Sequence, residues 1–329
     1  MKKVIAGAFS VFFLTIYIVT LAQEASNVRE KFEFVKEKNI SRTYPASGNS
    51  LSIDNSFGNV KFVTWDRNEI KVDVHFEASS DKETVAQKTL EALQISDKQQ
   101  GSEISFTPLI DKRNDICKDC KSTMHIDYQV FLPASVALNV NNSFGNIELP
   151  DYSGILTVKS KFGQLTTGSL PNLKQIGVEF GRASIKSMSH TNATFNFSDI
   201  EVLNLGGTNK ISLEFCSAAK FKLDSNLNSL DLRETYSTVF LRPGNLAASY
   251  MISTSFGSVV DRTYANIHRT DTPDKNGPDS DKTYEGKSGS GSARINISSS
   301  FGKIIVGEPT ADDLKETMDK TQNTNALLN

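Results

Sequence analysis

A Phe-Gly pair, or a close variant of it, returns along this chain at a near-constant interval, and no other feature constrains the fold so tightly. The first copy of the main run is NSFGNI at Phe144. Later copies put Phe162, Phe180, Phe197, Phe215, Tyr236 and Phe256 at the same point, at intervals of 18, 18, 17, 18, 21 and 20 residues. Two outlying copies, NSFGNV at Phe57 and SSFGKI at Phe301, flank the run. A period near 20 residues marks stacked turns of one supersecondary unit.

Aligning the copies on the aromatic exposes a finer pattern. Apolar residues sit six and four places before it, and again three and often five places after it, as in Leu138, Val140, Phe144, Ile147 and Leu149. Before the aromatic the period is two, which is a strand with one buried face. After it the phase slips by one. The slip predicts a bend at the following glycine (Gly145, Gly163, Gly181, Gly257 and Gly302), because glycine accepts a left-handed corner at little cost. The expectation is an all-β, single-chain β-solenoid, a β-helix or β-roll of coils ~18–20 residues long. Its aromatic residues would stack ring on ring inside the core at about 4.8 Å per coil. Outward positions such as Asn139, Lys159, Glu179, Glu214 and Arg233 are polar and mixed in charge, and read as a solvated face or a flat binding surface.

The N-terminus differs from the rest. Lys2 and Lys3 precede an apolar run from Val4 to Ala22, and Thr20-Leu21-Ala22 supplies small residues for cleavage before Gln23. This is the pattern of a signal peptide over residues 1–22, and it predicts an exported protein, periplasmic, surface-bound or secreted. No later stretch is apolar enough to span a bilayer, so no membrane span is expected after cleavage. The formal net charge is −2 and no basic stripe is present, which argues against nucleic acid as a partner.

Residues 23–47 read as an extended lead-in. Residues 48–135 read as an N-terminal strand-helix-strand cap holding the first coil, with a helix from Ser80 to Leu93 capped by Ser80 and Glu83. Repeats fill 136–306, interrupted at 261–292 by a Gly-, Pro-, Ser- and Asp-rich mobile loop, after which ARINISSSFGKIIV forms the last coil. Residues 307–329 read as a disordered or weakly helical tail.

Residues able to carry chemistry are few. Cys117 and Cys120, in CKDC, suit a small disulfide loop in an oxidising compartment. Cys216 stands where other copies have the corner glycine. His75, His125, His190 and His268 are dispersed, with no metal spacing among them, so neither a metal nor a cofactor is expected. Glu179 and Glu214 share a place one residue before the aromatic, but two coils apart, roughly 10 Å, which makes a poor glycosidase pair.

The order of these parts, an opening coil, strand-helix-strand, then VFLPASVALNVNNSFGNIEL and repeated Gly-φ corners, resembles the bacterial family of "putative adhesin" domains over roughly residues 48–306. The resemblance implies a repeat β-solenoid without catalytic residues. That family commonly carries Gly-Asp-φ or Gly-Asn-φ at the corner. Here Asn59, Asn146, Gln164, Arg182, Ser258 or Lys303 follows the glycine, which weakens any stacked acidic calcium column. The function expected is a non-catalytic envelope or secreted protein presenting a rigid face for adhesion to a surface glycan or an envelope protein. The alternatives are an envelope stress sensor or scaffold, and a carbohydrate-active enzyme.

Overall fold

The strands on either side of each aromatic residue pair with their counterparts one repeat away, in parallel and in register. Before the aromatic, Val140 lies opposite Val158, Val158 opposite Ile176, Val178 opposite Phe195, and Phe195 opposite Leu213. After it, one row runs through Val60, Ile147, Leu165, Ala183, Ile200, Ala219, Val239 and Ile304. Every residue of that second row is buried. The alternation read from the sequence therefore points the apolar residues inward, where two parallel ladders enclose one continuous core. This computed structural model describes residues 32–110, 120–273 and 278–317. The chain is all-β, and the 23 strands among the described residues form one sheet that does not close on itself.

Antiparallel strands finish both ladders at the N-terminal end and one of them at the C-terminal end. At the N-terminal end, Ser122–Leu132 pairs in parallel with Val60–Thr64 and antiparallel with Glu69–Ser80, and Phe34–Pro45 follows antiparallel at the edge. The extended lead-in thus supplies this outer strand. The other ladder ends in Glu103–Ile110 and Leu93–Gln100. The helix spans Glu83–Ala92 and buries Val85, Ala86, Thr89 and Leu90, the face expected of it. Its start differs from expectation. Lys82 is the N-cap and makes no side-chain cap bond, while Ser80 Oγ donates to Lys121 O at 2.8 Å. The strand before the helix simply runs on to Ser80.

The C-terminal end departs further. The last copy in sequence, Ala293–Ser300 with Lys303–Val306, is not the last in space. It lies between the Tyr236 copy and the Phe256 copy, pairing with both. Ile304, Ile305 and Val306 are fully buried there, whereas Ser258–Asp261 of the Phe256 copy is only half-buried. The more apolar copy takes the interior place, where both faces of its ladder are covered. The stretch expected as a mobile loop holds two strands. Asp281–Lys287 covers the outer edge of Ala248–Ser255 antiparallel, and His268–Arg269 pairs with Asp281–Lys287. Arg269 bridges Asp271 (2.6 Å) and Asp279, and holds the Asp271 carboxyl down to about 2. An edge strand left bare invites pairing with other chains, and this hairpin closes it. Of the tail, residues 311–317 are helical, and Asp313 binds Arg262 (2.6 Å) and Lys303 (3.3 Å). The signal-peptide segment and the end of the tail lie outside the described residues.

Candidate functional site

The nine aromatic residues form one unbroken stack. Running in space from Phe57 through Phe144, Phe162, Phe180, Phe197, Phe215, Tyr236 and Phe301 to Phe256, neighbouring ring centroids lie 4.8–5.4 Å apart with planes 2–9° from parallel. Eight such gaps make a strip on the order of 40 Å long, as the ladder spacing requires. The rings are not in the core. Eight of them are exposed, from 37 % at Phe57 to 57 % at Phe256, and Phe180 is half-buried. The expectation of ring upon ring holds, and the expectation that the rings fill the interior is wrong.

The reason is in the backbone. All nine aromatic residues have a positive φ, between 49° and 66°. The corner therefore sits on the aromatic residue itself, not on the glycine after it. The left-handed turn swings the ring outward and points the next residue inward. A left-handed conformation costs an ordinary residue about 1–2 kcal/mol. Parallel stacking repays part of this at roughly 0.5–1.5 kcal/mol per ring pair. The turn also keeps the ladder intact, since eight of the nine aromatic N–H groups donate to a carbonyl of the adjoining copy, and that of Phe256, last in the stack, to Ser280 O. Phe144 N to Lys161 O is 2.9 Å, Phe180 N to Asn196 O 3.1 Å and Tyr236 N to Ser300 O 2.9 Å.

The predicted glycines serve a different purpose from the one expected. Among them only close approach matters, as none has a positive φ. A Cβ on Gly145 would overlap Gly58 O, one on Gly163 would overlap Gly145 O, and one on Gly181 would overlap Gly163 O. A Cβ on Gly257 would have more room, lying 2.8 Å from Ser299 Oγ, and one on Gly302 would overlap the Glu234 carboxylate. Ser198, Cys216 and Ser237 take the same place in three copies and are buried. Burial pushes the free Cys216 thiol up to about 11. Cys120 is in a disulfide, and Cys117 lies outside the described residues.

Two features of the strip escaped the sequence reading. The position two residues before the aromatic points inward and is polar near both ends. At one end Asn55 Nδ2 donates to Asn142 Oδ1 at 3.0 Å. At the other, Glu234 lies opposite Ser299, whose hydroxyl donates to it, and Ser237 N–H donates to it at 3.0 Å. Burial outweighs both donors and pushes the Glu234 carboxyl up to about 7. The signal was present as a break in the apolar column. Second, the residue after the glycine forms a ladder of its own. Asp127 accepts from Asn59 N, Asn59 Oδ1 from Asn146 N, and Asn146 Oδ1 from Gln164 N, at 2.6, 2.9 and 2.9 Å. These side chains are spent on backbone amides. Glu179 and Glu214 sit two copies apart with Asn196 between, as expected, and Glu179 is paired with Lys161 at 2.7 Å.

Phe180 tests the origin of the strip. Phe180→Ala removes two ring contacts and keeps the strained turn, so a loss of about 2 kcal/mol is expected. Phe180→Gly removes the same contacts but relieves the turn, and should be about 1 kcal/mol less damaging. Urea denaturation of the three proteins measures the order. An alanine variant more stable than the glycine variant contradicts the left-handed corner.

No protein-family model and no curated relative matches the sequence. Among solved structures, the chain is similar to a "putative cell adhesion protein" from Clostridium sporogenes (11 % identity, TM-score 0.24, 83 % of this chain and 100 % of that one). It is also similar to a "putative adhesin" from Bacteroides fragilis and a "putative lipid binding protein" from Parabacteroides distasonis, each at 9 % identity and TM-score 0.37, covering 82 % of this chain and 97 % of the other.

Proposed function

We propose that this chain is a non-catalytic β-solenoid protein of the cell envelope or exterior, and that its aromatic strip holds it against a partner surface. The observation that carries the reading is the strip itself. A left-handed corner is met most cheaply by glycine or asparagine. Here a large ring occupies it nine times, in single file and open to solvent. A continuous exposed apolar patch of this length marks a contact surface. The in-register ladders beneath make it rigid, so little ordering entropy is lost on binding.

The geometry also favours one class of partner. Each inner ring gives both faces to its neighbours and shows solvent its edge. A sugar ring stacks on aromatic faces, and only the two end rings have one to offer. Ring edges suit the apolar side chains and carbonyl oxygens of a protein surface. An envelope protein therefore fits better than a glycan. The export pattern of residues 1–22 supports the location.

The test uses Phe162→Asn with Phe197→Asn, since asparagine tolerates the left-handed turn. Beads coated with the mature protein are expected to adhere to immobilised envelope proteins, and the double variant to lose at least tenfold with an unchanged circular dichroism spectrum. Equal adhesion by both proteins, or retention on glycans alone, would defeat the reading.

A further inference from the structure

At the N-terminal end, beside the Phe57 end of the aromatic strip, three antiparallel strands place a second set of groups on one outward face. In Phe34–Pro45 and Glu69–Ser80, Glu37 lies opposite Glu77 and Asn39 opposite His75. In Glu69–Ser80 and Ser122–Leu132, Glu77 lies opposite His125 and His75 opposite Asp127. The alternate residues Val74, Phe76, Ala78 and Ile126 are buried beneath them, which fixes the face these groups share. One ligand atom each from Glu37, His75 and Glu77 lies within 4.8 Å of the others.

We propose that Glu37, His75 and Glu77 bind a divalent transition-metal ion of the zinc class. One imidazole and two carboxylates make a nitrogen–oxygen donor set suited to such ions, and the two carboxylates balance the charge of the cation. A second observation shows that the imidazole is prepared for it. His75 Nδ1 lies 2.9 Å from Asn39 Oδ1, which only accepts. In the tautomer with its proton on Nδ1 this contact is a hydrogen bond, and Nε2 is then the ligand atom. Metal-binding histidines are held in this way by a carbonyl or carboxylate on the other nitrogen. A third observation concerns access. His75 and Asn39 also line a groove of about 830 Å³ with Asp127, Asn59 and Glu148. The ion would sit at the rim of that groove with a coordination position open to water or to a group bound there.

The sequence could not show this set. His75 and Glu77 are two residues apart on a strand, but Glu37 arrives from a strand nearly forty residues earlier, and only the antiparallel register brings it opposite.

The experiment titrates the metal-free protein with Zn²⁺ and with Co²⁺ in the absence of other ligands, by calorimetry and by the visible spectrum of bound cobalt. One ion per chain is expected to bind saturably, with a cobalt band typical of nitrogen and oxygen donors. His75→Ala and Glu77→Gln should each weaken binding at least tenfold, and Asn39→Ala roughly tenfold, the usual effect of removing an orienting partner. Because all three residues face outward, the melting temperature of the metal-free protein should be unchanged in each variant, which separates lost ligation from lost folding. Absence of saturable binding, or His75→Ala binding as tightly as the original, overturns the proposal. So does tight binding that instead disappears with His190→Ala or His268→Ala.

Discussion

Gly163→Ala is expected to destabilise the chain by about 3 kcal/mol or more. The added carbon would overlap the carbonyl of Gly145 in the adjoining copy. Its obstacle is backbone, not the flexible end of a side chain. Relief would require the two copies to part, and both ladders hold them in register at about 4.8 Å. Ser198→Ala is the control. That position already carries a side chain, and the substitution loses only a hydroxyl that donates to Asn196 O at 2.7 Å and accepts from Gly181 N–H at 3.2 Å, about 2 kcal/mol. Because stacked repeats can unfold in parts, hydrogen exchange should accompany the denaturation curve. The loss in Gly163→Ala should be centred on the Phe144, Phe162 and Phe180 copies. A melting curve matching that of Ser198→Ala would show that the copies are not in close backbone contact.

The second large effect is a dependence on pH carried by Glu234. Its carboxyl is raised in the folded chain from an ordinary 4.5 to about 7, chiefly because burial penalises the charged form. Between those values the folded chain binds a proton that the unfolded chain has released. Stability must then fall as pH rises across that window, by about 3 kcal/mol in total. Carboxylates held low by cations, such as Asp313 beside Arg262 and Asp271 beside Arg269, work in the opposite direction. Their stabilisation is lost only as pH falls through their lowered values, below the window of Glu234. Denaturation in urea at several pH values from 5 to 8 measures the slope. Glu234→Gln should flatten it and leave the substituted protein the more stable of the two at pH 8. Parallel curves for the two proteins would show that Glu234 is not the group responsible. The ionised carboxylate strains the place where the last sequence copy enters between two others, since Glu234 touches Ser299 and faces Gly302. Hydrogen exchange at Ala293–Val306 should therefore quicken with pH in the original protein beyond its chemical rate.

Much of the architecture was legible in advance because burial has a period. Leu138, Val140, Ile147 and Leu149 alternate as a half-buried strand must, and each is buried. The helix face of Val85, Ala86, Thr89 and Leu90 was legible for the same reason. The side of the wall on which the rings lie was not. The positions before the aromatic and those after it differ by an odd step, and that step can be absorbed at the aromatic or at the glycine. Composition favours the glycine, because left-handed backbone is cheapest there. The folded chain chooses the aromatic in all nine copies, including the three where Ser198, Cys216 and Ser237 follow it, and at Gly145, Gly163 and Gly181 the inward place beside a neighbouring carbonyl has no room for a Cβ. Close approach between copies outranked local conformational preference.

The chain's own letters determined the repeat, its length, the parallel stacking of like on like, and which aliphatic residues turn inward, since all of these follow from spacing along one strand. Tertiary structure alone decided that the rings face out, that the Phe301 copy slips in ahead of the Phe256 copy, and that Glu37 meets His75 and Glu77. Each of those depends on which surfaces come into contact across the sheet, and contact between distant segments leaves no periodic mark in the sequence.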